Sequence, residues 1–297
     1  MVRRNCPPLL FLTGIFKGHT ETVENLWKPR SVFVIITQLD SDMKSRNKIF
    51  DSFAEEYDSF RPEYPVGFVK KIAKHVRLVK QSKLLEIGCG SGQATRAFGK
   101  LDFDVLAIDP SEALISIAKK RFSDTPSVSF ECLSFEEYKS DSQRYDFIFA
   151  ANSFHWISPE VAWGKAHRLL KPGKHLAILT IRRELESGLK DELDILYQKF
   201  NAAFTNVKSS SPVPGSSESS LSLQEKYFFP EGNISYEFDT EYDSDSYLGL
   251  MRTMSDHRML PPDVQATFFC ELGKVCKRQG RFEVKNITNA KTYTKKD

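Results

Sequence analysis

The sequence lacks the features that tie a chain to a metal, a membrane or a nucleic acid. Its five cysteines are scattered among 297 residues, and no two of them have the spacing of zinc ligands. We therefore expect no metal, and an odd cysteine count without a framework favours a reducing compartment, the cytoplasm. A formal net charge of +3 gives no electrostatic reason to expect a nucleic acid or a membrane as partner.

The first 45 residues differ from the rest of the chain. Arg3 and Arg4 precede an apolar run, residues 9–16, which faintly resembles a signal peptide but is too short to span a bilayer. No small-residue cleavage site follows this run. We interpret residues 1–45 as a poorly ordered extension, with a targeting segment as the alternative.

From residue 46 onward, apolar runs alternate with helical patterns. The runs predict buried strands at residues 84–87, 105–109, 128–130, 145–150 and 176–179. Stripes of apolar residues with helical periodicity lie between them. This alternation predicts an α/β fold with a doubly wound parallel sheet. In such sheets, ligands bind at the carboxyl ends of the strands.

The patterns also divide the chain into segments. We assign residues 46–182 to a Rossmann-like core, residues 183–280 to a helical cap over the substrate region, and residues 281–297 to strands that close the sheet. A serine-rich stretch predicts a flexible loop over residues 207–222. Met251, Met254, His257 and Phe268 are candidates for the pocket wall of the cap, with ordinary core residues as the alternative.

A glycine-rich turn follows the first predicted strand. Gly88, Gly90 and Gly92 alternate through it, which lets the backbone bend sharply and lets a ligand approach without meeting a Cβ. This pattern indicates a nucleotide-like cofactor. A dinucleotide site has its third glycine where this chain has Gln93, and Glu86 would compete with a bare phosphate. An ordinary tight turn is the alternative.

Polar and aromatic residues follow the later strands. Asp109 ends the second strand, where a carboxylate can accept two hydrogen bonds from a ribose diol. Ser134 and Phe135 follow the third, where such folds hold an adenine by backbone N–H groups and an apolar wall; a capped surface turn is the alternative. His155 and Trp156 follow the fourth strand. We expect all of them at one edge of the sheet, around one pocket.

Together these motifs resemble the class I S-adenosylmethionine-dependent methyltransferases that act on small molecules, of the type 11 or trans-aconitate methyltransferase-like subgroup. The resemblance covers residues 46–182 well and residues 234–297 loosely. Three stretches carry it: a lead-in of Phe50, Ala54, Tyr57, Arg61, Pro62, Tyr64 and Pro65; Ser153-Phe154-His155-Trp156; and Leu170-Lys171-Pro172-Gly173. It implies a seven-stranded, mostly parallel sheet and S-adenosylmethionine as the cofactor.

The resemblance also implies roles for individual residues. The glycines would wrap the amino-acid part of the cofactor, Asp109 would bind its ribose, and Glu86 would orient the loop or the ammonium group. Trp156 and Tyr64 would line the substrate pocket. The full cofactor-binding set is Tyr57, Arg61, Glu86, Gly88, Cys89, Gly90, Gly92, Asp109, Pro110, Ser134, Phe135 and Ala151.

The chemistry implied by this family depends on positioning. S-adenosylmethionine carries its own leaving group, so an acceptor held in line with the methyl bond needs no covalent nucleophile. His155 is the candidate general base, because its pKa lies near the operating pH; a structural histidine is the alternative. Arg61 is a candidate partner for a carboxylate of the cofactor or of the acceptor.

The acceptor is expected to be a small molecule with a carboxylate or hydroxyl group. The Asp/Asn-Pro-Pro-Tyr/Phe stretch of enzymes that methylate bases is absent after the fourth strand, which argues against nucleic acid. We expect a monomer or homodimer. An NAD(P)-dependent oxidoreductase and a non-catalytic binder of a nucleotide or of S-adenosylmethionine are the alternatives.

Overall fold

A seven-stranded sheet lies at the centre of the computed structural model, which describes residues 50–210 and 218–297. The predicted extension, residues 1–45, lies outside the described residues. The strands are β1 (Lys83–Ile87), β2 (Asp104–Asp109), β3 (Val128–Cys132), β4 (Tyr145–Ala151), β5 (Leu170–Leu185), β6 (Phe228–Tyr242) and β7 (Phe282–Lys295). Their order across the sheet is β3-β2-β1-β4-β5-β7-β6.

The sheet is mostly parallel, as predicted. Strands β1 to β5 pair in parallel, and β7 runs antiparallel to both of its neighbours. The chain moves outward from β1 to β3 and then returns to β4 on the other side of β1, so the strand order reverses between β1 and β4. The doubly wound α/β fold is therefore confirmed, and its switch point predicts where a ligand binds.

Helices cover both faces of this sheet. They are α1 (Ala54–Phe60), α2 (Val66–His75), α3 (Thr95–Gly99), α4 (Glu112–Arg121), α5 (Pro159–Leu169), α6 (Ser187–Lys199), α7 (Asn201–Ser210), α8 (Glu218–Tyr227), α9 (Ser244–Arg252), α10 (Ser255–Arg258) and α11 (Pro262–Gln279). None of these described helices is both long enough and apolar enough to cross a bilayer.

The core follows the period-two alternation of the strands. In β1, Leu84 points into the core beneath α2, whereas Leu85 points into the opposite core beneath α5. Helix α2 presents Phe68 and Ile72 to the first of these layers, both of them fully buried. The spacing of apolar residues that predicted these helices and strands thus also determines which side of the sheet each element covers.

The strands on the C-terminal side of the sheet are longer than predicted. Strand β5 was expected at residues 176–179, but it runs from Leu170 to Leu185 because β7 pairs with it through residue 185. Two short closing strands were expected where β7 is continuous. Exposed polar side chains alternate along β6, and β7 carries polar side chains that are largely buried, which weakened the apolar signal on which the prediction relied.

The segment assigned to a helical cap needs correction. Within residues 183–280, strand β6 belongs to the sheet, and α8 packs against the core helix α5, where Trp163 Nε1 donates to Ser220 Oγ at 3.1 Å. The predicted loop over residues 207–222 is helical at residues 207–210 and 218–222. Helices α6, α7, α9, α10 and α11 form the cap around their own apolar cluster.

Candidate functional site

A cavity of about 470 Å³ opens at the carboxyl ends of β1, β2, β4 and β5. Helix α1 and the cap close its other sides. Eleven of the residues predicted from the sequence line it: Tyr57, Arg61, Gly88, Gly90, Asp109, Pro110, Ser134, Phe135, Ala151, His155 and Trp156. Their meeting at one edge follows from the parallel strands, which all end on the same side.

The glycine turn is shaped for a close approach. Gly88, Gly90 and Gly92 have φ angles of +66°, +58° and +93°, which residues with a Cβ rarely adopt. A methyl group on Gly88 would lie 2.5 Å from Cβ of Ser153, and one on Gly92 would lie 2.7 Å from the ring of Phe122. Gly88 therefore lets β4 approach the turn, whereas Gly92 lets the end of α4 pack against it.

Asp109 joins the turn to the end of β2. Its Oδ2 accepts from the Gly90 N–H and its Oδ1 from the Ser111 N–H, each at 2.9 Å. Each carboxylate oxygen retains a second lone pair, so both can still accept from a ligand hydroxyl. Burial raises the pKa of Asp109 to about 6, against the two backbone donors, which lower it.

Glu86 lies behind the turn and does not line the cavity. Its side chain is fully buried, and Thr95 Oγ1 donates to its Oε2 at 2.5 Å. Its Oε1 has no hydrogen-bond partner. Burial raises the pKa of Glu86 to about 8. The protonated, neutral form of its carboxyl group is therefore favoured over much of the neutral pH range.

Three other predicted residues also lie outside the cavity wall. Cys89 is buried, with its Sγ 3.5 Å from the Gly90 carbonyl oxygen, and Gly92 packs as described above. Tyr64, predicted in the substrate pocket, is instead buried against Phe68, and its hydroxyl accepts from Asn152 Nδ2 at 2.9 Å. Tyr64 supports the wall from behind because its ring belongs to the core beneath α2.

His155 and Trp156 lie in a 3-10 turn after β4, Phe154–Trp156. The His155 ring faces the cavity and makes no hydrogen bond to a described residue; the Trp156 ring lies 5.0 Å from it. Burial lowers the pKa of His155, which keeps the imidazole neutral near pH 7. The Trp156 ring also meets the Phe50 ring in an edge-on arrangement, with the ring centres 6.4 Å apart.

The turn after β3 combines both interpretations made from the sequence. Ser134 and Phe135 line the cavity, yet the Ser134 N–H donates to Glu137 Oε2 at 3.1 Å, as in a capped turn. The Ser134 hydroxyl also donates to that oxygen, at 2.9 Å. Phe135 therefore offers a ligand an apolar wall. The Ser134 N–H group beside it already has a hydrogen-bond partner.

Sequence reasoning missed part of the cavity wall. Residues that line it without having been predicted as site residues include Ser153, Ile157, Ile181, Arg183, Val207, Asp256 and Met259. Of the cap candidates, Met254 lines it, whereas Met251, His257 and Phe268 are buried in the cap cluster. Ile181 and Arg183 lie two residues apart, as residues on one face of a strand do, but the predicted strand ended at residue 179 and left both out.

Comparison with known proteins agrees with this geometry. The family model described as "Methyltransferase domain" matches residues 85–178. The chain is thus similar to the class I S-adenosylmethionine-dependent methyltransferases of the type 11 kind. The matched segment contains the glycine turn, Asp109 and the turn after β4, which are the parts that the sequence alone identified.

Several relatives carry the same description. A Schizosaccharomyces pombe uncharacterized methyltransferase, C25B8.09, is 24% identical over 77% of this chain and 88% of its own length. Malonyl-[acyl-carrier protein] O-methyltransferase 1 of Ilyobacter polytropus is 25% identical over 63% of this chain and 71% of its own. CRG1 of Saccharomyces cerevisiae, named a probable S-adenosylmethionine-dependent methyltransferase, is 31% identical over 42% and 43%. Some relatives match this chain over only about half of their own length, 53% in one case.

A solved structure supports the fold. A candidate type II methyltransferase from Anaeromyxobacter dehalogenans superimposes with a TM-score of 0.58, covering 78% of this chain and 97% of its own at 21% identity. At that identity the likeness concerns the arrangement of the sheet and helices alone.

The residues around this cavity fit S-adenosylmethionine. Gly88 and Gly90 line the cavity without a Cβ of their own, and Asp109 has acceptor capacity left for a ribose diol. Glu86 lies behind the turn and does not block the cavity.

Proposed function

We propose that the protein transfers a methyl group from S-adenosylmethionine to an oxygen atom of a small-molecule acceptor, by in-line displacement. The observation that carries this proposal is one continuous cavity with the glycine turn and Asp109 at one end and the cap at the other. Its volume, about 470 Å³, lies in the usual range for small-ligand sites. The bound cofactor supplies an activated methyl group, and the chain supplies orientation and exclusion of water.

The cofactor end of the cavity is assigned to residues around β1 and β2. Gly88 and Gly90 would contact the amino-acid part, and Asp109 would accept from the ribose hydroxyls. Phe135, Pro110 and Ala151 offer apolar surface for the adenine. Tyr57 closes the turn from above, since its ring lies 3.1 Å from where a Cβ of Gly90 would be.

His155 is proposed as the general base for an acceptor hydroxyl. It faces the cavity, it is not held by a hydrogen bond to a described residue, and its lowered pKa keeps it in the form that accepts a proton. Transfer to a carboxylate would need no base, because that group is already ionised at neutral pH.

An oxygen acceptor is favoured by one relative. The Ilyobacter polytropus protein, 25% identical over 199 residues, is named an O-methyltransferase that acts on a malonyl group. That similarity supports oxygen as the methylated atom and leaves the identity of the acceptor to experiment. Cytoplasmic location, a monomer or homodimer, and no binding to nucleic acid are also proposed; fractionation, light scattering and a gel-shift assay test them.

Calorimetry tests the cofactor. S-adenosylmethionine and S-adenosylhomocysteine should bind the purified chain, and NAD should not. Binding of NAD in place of the other two would establish an oxidoreductase-type site instead. A screen of metabolite fractions with a methyl-labelled donor, followed by mass identification of the product, then separates an enzyme from a non-catalytic binder.

A further inference from the structure

We propose that Arg183 binds a carboxylate of the acceptor, so that the methyl acceptor is an organic anion. The assignment to an acceptor rests on the proposed function. Three observations support the anion site itself. Arg183 lines the cavity, its charge has no counterion among the described residues, and its strand is separated from the strand that leads into the glycine turn.

Arg183 lies on a part of β5 that projects beyond β4. The last residue of β4, Ala151, pairs with Leu179, and β5 then continues to Leu185 with only β7 beside it. Along this projection Ile181 and Arg183 face the cavity. Arg182 points to the other side, where it forms an exposed ion pair with Glu184 at 2.7 Å.

The charge of Arg183 has no counterion among the described residues. No carboxylate there lies within 4 Å of its guanidinium, and its buried Nε has no hydrogen-bond partner. Burial, and then the nearby Arg61, lower the pKa of Arg183. The hydroxyl group of Tyr242 lies beside the Arg183 guanidinium, but it is neutral and does not balance the charge. A buried cation without a counterion is costly, so an anion that enters the cavity would relieve this cost.

Arg61, which lies close enough to lower the pKa of Arg183, shows the same deficit. One of its terminal nitrogens donates to the Thr253 carbonyl at 2.7 Å, and its Nε is buried without a partner. Its guanidinium lies 5.0 Å from the centre of the Tyr57 ring. Two guanidinium groups thus face one cavity, and each lacks a carboxylate among the described residues.

The two arginines differ in their distance from the glycine turn. Arg61 stacks near Tyr57, which covers Gly90, so it can reach a carboxylate of the cofactor. Arg183 belongs to β5, which is separated from β1 by β4. Two strand spacings amount to roughly 10 Å, which places Arg183 on the acceptor side.

The surroundings of Arg183 favour a carboxylate over a phosphate. A planar guanidinium matches the two oxygens of a carboxylate. Phosphate sites usually add several backbone N–H groups from a loop or a helix N-terminus, whereas alternate N–H groups of this part of β5 are already paired with β7. Ile181 and Met254 add apolar surface to a wall that also contains Ser255 and Asp256, and this apolar surface suits an organic acid with a carbon skeleton.

The test uses the full chain saturated with S-adenosylhomocysteine. Glutarate and octanoate are titrated by calorimetry, each beside its neutral amide, and inorganic phosphate serves as a further probe. We expect a carboxylate to bind and its amide not to bind. Arg183→Gln should weaken carboxylate binding at least tenfold while changing S-adenosylhomocysteine affinity less than twofold. Arg183→Lys should recover part of the loss, and the matched control Arg182→Gln should behave as wild type.

Each remaining outcome overturns the assignment in a distinct way. Equal binding of acid and amide, no binding of either acid, or an unaffected Arg183→Gln variant shows that Arg183 holds no carboxylate. Preference for phosphate shows a different anion. An equal loss of S-adenosylhomocysteine affinity places Arg183 in the cofactor site. Failure of the wild type to bind S-adenosylhomocysteine refutes the proposed function instead, while carboxylate binding to the free chain remains measurable. Thermal unfolding shows whether Arg183→Gln folds; if it does not, Arg183→Lys decides.

Discussion

Replacement of Glu86 by glutamine should stabilise the cofactor-free protein at high pH. The carboxyl group is fully buried, and of its two oxygens only Oε2 has a hydrogen-bond partner, the Thr95 hydroxyl. An amide keeps the oxygen that accepts from Thr95 and cannot ionise. The variant therefore removes the cost of burying a negative charge and leaves the shape of the side chain almost unchanged.

The size and direction of the effect follow from the raised pKa. Burial moves it from 4.5 to about 8, and each tenfold change in proton affinity is worth about 1.4 kcal/mol. Full ionisation of Glu86 therefore costs on the order of 5 kcal/mol. Between pH 4.5 and about 8 the native state binds more protons at this site than the unfolded state does. Its contribution to the unfolding free energy is thus present at low pH and is lost as the pH rises through that window.

The assay is urea denaturation of wild type and Glu86→Gln at pH 5, 7 and 9. The two proteins should have similar unfolding free energies at pH 5, and the variant should be more stable by a few kcal/mol at pH 9. Glu131→Gln, at an exposed position in β3, controls for the loss of a negative charge. Parallel pH dependences for wild type and Glu86→Gln would refute the reasoning, because they would mean that Glu86 is ionised without penalty.

Four further variants test the site. Gly88→Ala should lose S-adenosylhomocysteine binding, measured by calorimetry. It should also destabilise the fold by more than the control Gly173→Ala, measured by denaturation, because both positions have a positive φ but only the methyl group at position 88 meets a neighbour. Asp109→Asn should weaken S-adenosylhomocysteine at least fivefold by calorimetry, and unchanged affinity would remove its ribose role. For a hydroxyl acceptor, His155→Gln should lower kcat about 100-fold and abolish the fall in rate below pH 6.5 that protonation of His155 causes; an unaltered pH profile argues for a structural histidine. His257→Phe should destabilise the cap by about 1–3 kcal/mol, because Asp256 and Tyr197 each lose a 2.8 Å hydrogen bond to the imidazole. Denaturation measures this, and an unchanged midpoint would contradict it.

The cofactor half of the site was predictable because its signals are local. Gly88 and Gly90 follow a buried run directly, and Asp109 ends the next run, so strand ends and turn chemistry lie together in the sequence. A parallel sheet then brings these ends to one edge without further information. Glu86 was placed correctly at a strand end, but its burial depends on the elements that pack around β1, which the sequence pattern does not specify.

The acceptor half depends on contacts between distant segments. Arg183 faces the cavity only because β7, about a hundred residues later, extends β5 past the end of β4. Tyr64 was misplaced for a similar reason: Asn152, from the exit of β4, binds its hydroxyl and holds the ring in the core. Pairings of this kind carry no local periodicity, and an alternating polar strand such as β6 resembles a loop when it is read alone.

The projection of β5 lies outside the segment that the methyltransferase domain model matches. The family match ends at residue 178, whereas Ile181, Arg183 and the cap residues at the cavity come later in the chain. On the proposed function, the groups assigned to the methyl donor and the group assigned to the acceptor therefore lie on different stretches of the sequence. Relatives that share the first stretch can share a cofactor without sharing a substrate, so the acceptor must be sought with this chain's own arginines in view.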